Sequence, residues 1–117
     1  MEVMKANHHG TSNCNSATLL SSLVPQTVLI HPWRDVHPNN ETVTRMFDAY
    51  NNCQIFSTNM TDANKTRLGV NLNRLKAIQG HVVVRVNPGG DAYYVYVLDD
   101  SNQNYKVKAV FGPYNSK

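Results

Sequence analysis

Histidines are the residues of this sequence whose types and positions most suggest chemistry, and His8 and His9 stand side by side before Gly10. They follow a run that predicts a strand, so they lie at a strand end, where ligands and catalytic groups of open α/β sheets collect. Neutral imidazole is the commonest zinc ligand, but a structural zinc ion needs four protein donors and a catalytic one usually three. Two neighbours therefore cannot hold zinc alone, and the alternative interpretation is a surface loop with two solvated histidines.

Two more histidines, His31 and His37, fall at or just beyond the end of the next predicted strand. If the two strands are neighbours, these side chains share a rim with His8 and are either site residues or plain polar loop residues. A small zinc site built from the first four histidines is one hypothesis, in which zinc-binding energy would be folding energy. The fifth histidine, His81, opens a strand and is predicted to be structural.

The remaining motifs are more typical of structural elements than of a catalytic or binding site. No glycine-rich phosphate loop and no nucleophile elbow occur. The run Tyr93–Tyr96 is interpreted as residues that pack within a sheet, in preference to a surface on which bases stack. Basic residues without any acid occupy positions 63–90, which predicts a solvated face or, alternatively, phosphate contact. Lys65 and Arg67 are the two that could help to hold an anionic substrate.

A βαβαβ segment over residues 1–58 must position these histidines. Short β-branched and apolar runs predict strands, and apolar residues at i, i+3, i+4 and i+7 predict a helix capped by Asn39 or Asn40. Alternating strands and helices favour a parallel sheet with helices on one face. The predicted elements are the strand Met1–Ala6, the helix Ala17–Leu23, the strand Thr27–His31, the helix with Val43, Met46, Phe47 and Tyr50, and the strand Cys53–Ser57.

The second half of the chain changes character. Residues 59–80 are predicted to be an irregular or helical connection, and residues 81–111 an antiparallel β meander. We therefore expect one α/β domain over residues 1–117, with α+β as the alternative class and a mixed sheet carrying two or three helices on one face. One helical stripe in the connection could be formed by Leu68, Leu72, Leu75 and Ile78.

Length and composition exclude several classes of protein. With 117 residues, of which 41% are hydrophobic and 16% charged, the chain suits one compact domain. A net charge of +3 gives only weak support for a nucleic-acid partner. No apolar run approaches the ~20 residues that cross a bilayer, so no membrane segment is predicted. We expect a soluble domain, compatible with secretion or with attachment to a membrane protein in a longer precursor, and Cys14 and Cys53 are interpreted as ordinary side chains.

Taken in order, these motifs form a recognisable series. They are Asn7-His8-His9-Gly10-Thr11 after a strand, a leucine-rich helix, Leu23-Val24-Pro25 before a second strand, His37-Pro38 before a second helix, and Ile55-Phe56-Ser57-Thr58. The series resembles the C-terminal half of metallo-β-lactamase-fold hydrolases, especially the lactamase-like domain of bacterial competence DNA-uptake proteins and its free-standing relatives. Where that branch has His-His-Gly-Ser and Gly-His-Pro, this chain has Thr11 for the Ser and Val36 for the Gly.

The resemblance implies an αββα sandwich of two mixed sheets with helices outside and a mono- or dinuclear zinc site at the sheet edge. It implies that His8 is the family's last metal ligand, with His9 as the runner-up. The substrate-pocket candidates are His9, Thr11, His37 and His31. The family's early His-x-His-x-Asp-His motif is absent from this sequence, so the chain is expected to be the C-terminal portion of a longer hydrolase, with the missing N-terminal half as its partner.

The functional prediction is a portion of a zinc-dependent hydrolase in which metal-bound hydroxide attacks an ester, amide or phosphodiester bond. This portion is expected to be inactive in isolation, and no residue is assigned as catalytic. The alternative is a non-catalytic binding or interaction module that keeps the half-fold without metal. An exposed sheet edge could then pair with a second copy of the chain.

Overall fold

A computed structural model describes residues 1–116 and has three α-helices, two 3₁₀ segments and six strands. The helices are α1 (Ala17–Leu23), α2 (Asn40–Ala49) and α3 (Asp62–Leu68), and the 3₁₀ segments are Asn7–Gly10 and Gly69–Arg74. The strands are β1 (Val3–Lys5), β2 (Thr27–Ile30), β3 (Gln54–Ser57), β4 (His81–Val86), β5 (Ala92–Leu98) and β6 (Val107–Asn115).

The first three strands form a parallel sheet in the order β1-β2-β3. Met4 pairs with Val28, and Val28 pairs with Ile55. The chain crosses over through α1 and then through α2, and parallel neighbours need crossovers of this kind. Because all three strands run the same way, their carboxyl ends meet at one edge of the sheet.

Alternate residues of the parallel sheet belong to two separate cores. On one face, Val28, Ile30 and Ile55 are fully buried with Leu20 of α1 and Met46 of α2. On the other face, their strand neighbours pack against the second sheet, because successive side chains of a strand point to opposite faces. Helices, parallel sheet and antiparallel sheet therefore form three layers.

The second sheet is antiparallel, in the order β4-β5-β6. Tyr93, Val95 and Val97 are buried on its inner face, whereas Tyr94 and Tyr96 lie on the outer face and contact each other. The Tyr93 hydroxyl hydrogen-bonds the Thr27 hydroxyl at 2.8 Å, and both residues are buried. This bond ties the antiparallel sheet to the middle strand of the parallel sheet.

Side chains set the helix boundaries. The Ser16 hydroxyl accepts from the Leu19 amide at the start of α1, and the Asn39 side chain accepts from the Glu41 amide at the start of α2. Each cap satisfies amide groups that have no partner inside the helix. Of the two caps predicted for α2, Asn39 and Asn40, the structure has Asn39.

The predicted fold class is confirmed, with differences in detail. The parallel and antiparallel strands belong to two sheets rather than one mixed sheet, and the meander reaches Asn115 instead of ending at 111. Gly69, at φ +55°, ends α3, so the predicted apolar stripe is not one continuous helix. Its leucines nevertheless contact the helical core. No helix in residues 1–116 is long and apolar enough to cross a bilayer.

Candidate functional site

The first two histidines lie at the carboxyl edge of the parallel sheet, directly after β1. His8 and His9 have positive φ angles of 45° and 58°, and Gly10 continues the run at 80°. A left-handed conformation costs a non-glycine residue about 1–2 kcal/mol, so the surrounding structure must hold these two in place. These three successive residues make up most of the 3₁₀ segment Asn7–Gly10.

Contacts to the start of α2 hold that turn. The Asn39 amide donates to the Gly10 carbonyl at 2.9 Å. A Cβ atom on Gly10 would lie 2.9 Å from the Pro38 Cβ, so glycine is needed for the close approach as well as for the backbone angle. These contacts place His37, the residue before Pro38, beside the paired histidines.

The three imidazole rings of this edge form a cluster. The ring centroids of His8 and His9 are 5.9 Å apart, those of His8 and His37 6.1 Å, and those of His9 and His37 5.3 Å. The His9 and His37 rings are stacked with an interplanar angle of 20°. Residues separated by almost thirty positions in sequence thus share one small volume.

A hydrogen bond to His31 fixes the orientation of the His9 ring. Nδ1 of His9 bonds the backbone carbonyl of His31. A carbonyl only accepts, so Nδ1 carries the proton, and Nε2 of the neutral ring keeps its lone pair. His31 therefore supports the cluster through its carbonyl. Burial, followed by the charges of Lys5 and His9, lowers the pKa of the His31 ring.

His37 is the buried member of the cluster. The residue is 6% exposed, and Nδ1 of its ring has no hydrogen-bond partner. The buried Asn64 side chain donates to its backbone carbonyl at 2.9 Å and so anchors the residue from α3. Burial, and then the nearby charges of His9, His8 and Arg34, lower the pKa of His37. An unpaired buried ring nitrogen costs free energy, and a ligand or ion could satisfy it.

The segment that follows the histidines is held by Arg45 of α2. Its guanidinium group donates to the carbonyl of Ser12 at 3.0 Å and to those of Cys14 and Asn15 at 3.2 Å each. The Asn15 side chain in turn bonds both the amide and the carbonyl of Asn7. The loop between β1 and α1 is thereby closed on itself and fixed to α2.

An open cleft of about 720 Å³ lies beside the cluster. It is lined by His8, His9, Thr11, Trp33, Arg34, Val36 and His37. Sequence reasoning selected four of these residues and missed Trp33, Arg34 and Val36, although all three lie in the loop after β2 between two selected histidines. Loop residues at the carboxyl edge of a parallel sheet were the available signal.

The cations predicted to serve an anionic substrate lie elsewhere. Lys65 forms an ion pair with Asp62 at 3.2 Å, and Arg67 donates to the Asp35 carbonyl at 3.3 Å. Neither residue lines the cleft, where Arg34 supplies the positive charge. Arg67 instead lies beside Val36, a residue that lines both the cleft and a neighbouring pocket.

The histidine rings are of the type that binds zinc, but they do not form a complete zinc site. His9 offers Nε2, and His37 has a ring nitrogen that lacks a partner, as neutral imidazole ligands require. Across the described part of the chain, however, no three or more histidine, cysteine, aspartate or glutamate side chains are arranged to hold a metal ion. His31, one of four histidines in the small-site hypothesis, does not line the cleft.

Comparisons with known proteins do not identify the chain. No protein-family model, no curated protein and no solved structure matches it.

Proposed function

We propose that this chain supplies the histidine-bearing side of a zinc-dependent hydrolase site of the metallo-β-lactamase type. The observation that supports this proposal best is the convergence of three imidazoles at the carboxyl ends of parallel strands, beside an open cleft. His8 is the proposed metal ligand, with His9 as the runner-up. His37 and Thr11 face the substrate.

Bound zinc would activate water for attack on an ester, amide or phosphodiester bond, which is the chemistry that such a site supplies. The chain's own residues orient the cluster: the His31 carbonyl sets the His9 tautomer, and Asn64 holds His37. Because residues 1–116 contain no complete ligand group, the proposal requires further donors from another segment or another chain. One or two zinc ions would then be bound by the combined site.

Zinc titration by calorimetry tests this proposal. We expect weak binding by the chain, because few ligands contribute, and loss of that binding in His8→Ala. A His81→Ala variant is the matched control, since His81 lies on β4, outside the cleft. Unchanged zinc binding in His8→Ala, or equal loss in His81→Ala, would contradict the proposal. Tight one-to-one binding would show that the chain completes its own site.

A non-catalytic binding module is the second candidate. The open cleft lined by His9, Trp33 and Arg34 supports it, and the cleft would then bind its ligand without metal. A folded chain with no measurable zinc affinity, together with ligand binding in the presence of a chelator, would select this candidate over the hydrolase.

A further inference from the structure

The cleft contains two residues that the histidine cluster does not explain. Arg34 lines it and forms no ion pair, since the ion pair in the described chain joins Lys65 to Asp62. Trp33 lines it as well and is 75% exposed. A large aromatic side chain with this exposure is uncommon in a fold that buries its other aromatic rings in cores or pairs them.

The polar groups around the cleft favour a negatively charged ligand. No aspartate or glutamate lines it. Arg34 and His37 both line the cleft, so a positively charged guanidinium group is available there. Guanidinium, hydroxyl and imidazole N–H groups are donors that suit an oxyanion, and arginine can bind one through two parallel hydrogen bonds.

Trp33 adds a planar apolar surface to this charged site. The aromatic contacts of the described residues involve histidine, tyrosine and phenylalanine rings, and none involves Trp33. The 75% exposure of Trp33 leaves its indole accessible to stack on a planar ring, which is how tryptophan and related side chains bind bases.

We propose that the cleft binds an oxyanion carried by a planar ring, with Arg34 holding the anionic group and Trp33 stacking on the ring. The inference deepens the proposed function, because it takes the cleft beside the histidines as the substrate site. Binding itself needs no metal. Two classes of ligand fit this description. In a nucleoside monophosphate the oxyanion is a phosphate, and in an aromatic carboxylate it is a carboxylate.

The chain offers its own reporter for the test, because it contains one tryptophan. Trp33 fluorescence is followed in buffer that contains a metal chelator. The protein is titrated separately with adenosine monophosphate, benzoate, adenosine and inorganic phosphate. We expect saturable quenching by the monophosphate or by benzoate, which distinguishes the phosphate from the carboxylate source. Adenosine, which lacks the anion, and inorganic phosphate, which lacks the ring, should bind far more weakly.

Two variants separate the roles of the side chains. Arg34→Gln should weaken binding of the charged probe about tenfold or more, because a charge-assisted hydrogen bond is lost. Arg85→Gln is the control, since Arg85 is exposed on β4 and does not line the cleft. Trp33→Ala, measured by calorimetry because the fluorescence is gone, should weaken binding by about tenfold.

Three outcomes would overturn this inference. The first is no quenching by either charged probe at about 1 mM, which marks weak binding. The second is equal affinity for adenosine and its monophosphate, and the third is an equal effect of both arginine variants. The chelator keeps this test independent of zinc, so its failure would leave the calorimetric test of the hydrolase proposal unaffected.

Discussion

Gly10 and Pro38 approach each other so closely that a Cβ on the glycine would lie 2.9 Å from the proline Cβ. The contact joins the turn after β1 to the residues that open α2. Because His8 and His9 precede the glycine and His37 precedes the proline, this one approach brings the imidazole cluster together. The cluster therefore depends on a residue that has no side chain.

Replacing Gly10 by alanine is expected to destabilise the fold and disperse the cluster. The left-handed backbone costs about 1–2 kcal/mol for alanine, and overlap with Pro38 adds about 1–3 kcal/mol. Gly90→Ala is the matched control, because Gly90 has a similar φ of 77° but nothing within 4 Å of its Cβ position. Urea unfolding of both variants gives the comparison.

The difference in unfolding free energy between Gly10→Ala and Gly90→Ala measures the effect of the overlap with Pro38. Histidine NMR signals should shift in Gly10→Ala and stay in place in Gly90→Ala. Equal losses of stability in the two variants would mean that the close approach contributes nothing.

Removal of the Asn64 side chain should release His37. Asn64→Ala leaves a buried carbonyl without its donor, so we expect a loss of about 1–3 kcal/mol in unfolding free energy and a shift in the His37 ring signals. Thr27→Val is the control, because it removes a buried hydrogen bond to Tyr93 in the other core. A variant that loses stability while His37 stays unchanged would refute the anchoring role.

The ring of His37 is expected to titrate below the ordinary histidine pKa of about 6.5. Burial disfavours the charged form first, and the neighbouring positive groups add to the effect. Proton and nitrogen NMR of the imidazoles across pH 4–8 measures it, with His37→Gln used to assign the signal. Titration at the ordinary value would show that the ring is solvated instead.

This lowered pKa also sets the sign of a pH effect on stability. Below about pH 6.5 the unfolded chain binds a proton at His37 that the folded chain resists, so unfolding free energy rises with pH through that window. Folding is therefore weakened as the pH falls towards the folded-state pKa. Thermal unfolding of the native chain should show this slope, and His37→Gln should reduce it.

Arg45 is expected to control the mobility of the loop at residues 11–15. Arg45→Lys keeps the charge but loses the fork that reaches three carbonyls, so about 1 kcal/mol should be lost. Amide hydrogen exchange should become faster in that loop, whereas Arg85→Lys on the exposed face of β4 should leave it unchanged. Unaltered exchange in Arg45→Lys would show that the carbonyl contacts do not hold the loop.

Local patterns explain how much of the fold could be predicted. The helix containing Val43 and Met46 follows from apolar spacing and an Asn39 cap, and both signals act over a few residues. The division into two sheets does not follow, because it depends on which face of β2 meets Tyr93, which is 66 positions later. Local periodicity does not show which residues meet over such distances in sequence.

The same distinction applies to the candidate site. Two histidines at a strand end are visible in the sequence, whereas the burial of His37 results from contacts with Gly10 and Asn64, which lie on separate elements. Trp33 and Arg34 had no periodic or motif signal, because their importance depends on the cleft they line. The zinc-related assignments of His8 and His9 stay predictions.

The bond between Tyr93 and Thr27 has a consequence for the way the molecule melts. Detaching the antiparallel layer would break this bond and expose the apolar face of the parallel strands at Leu29 and Phe56 to water. Neither layer is therefore a separate cooperative unit. We expect one unfolding transition, with the slowest-exchanging amides of β2 and β5 sharing a single opening free energy.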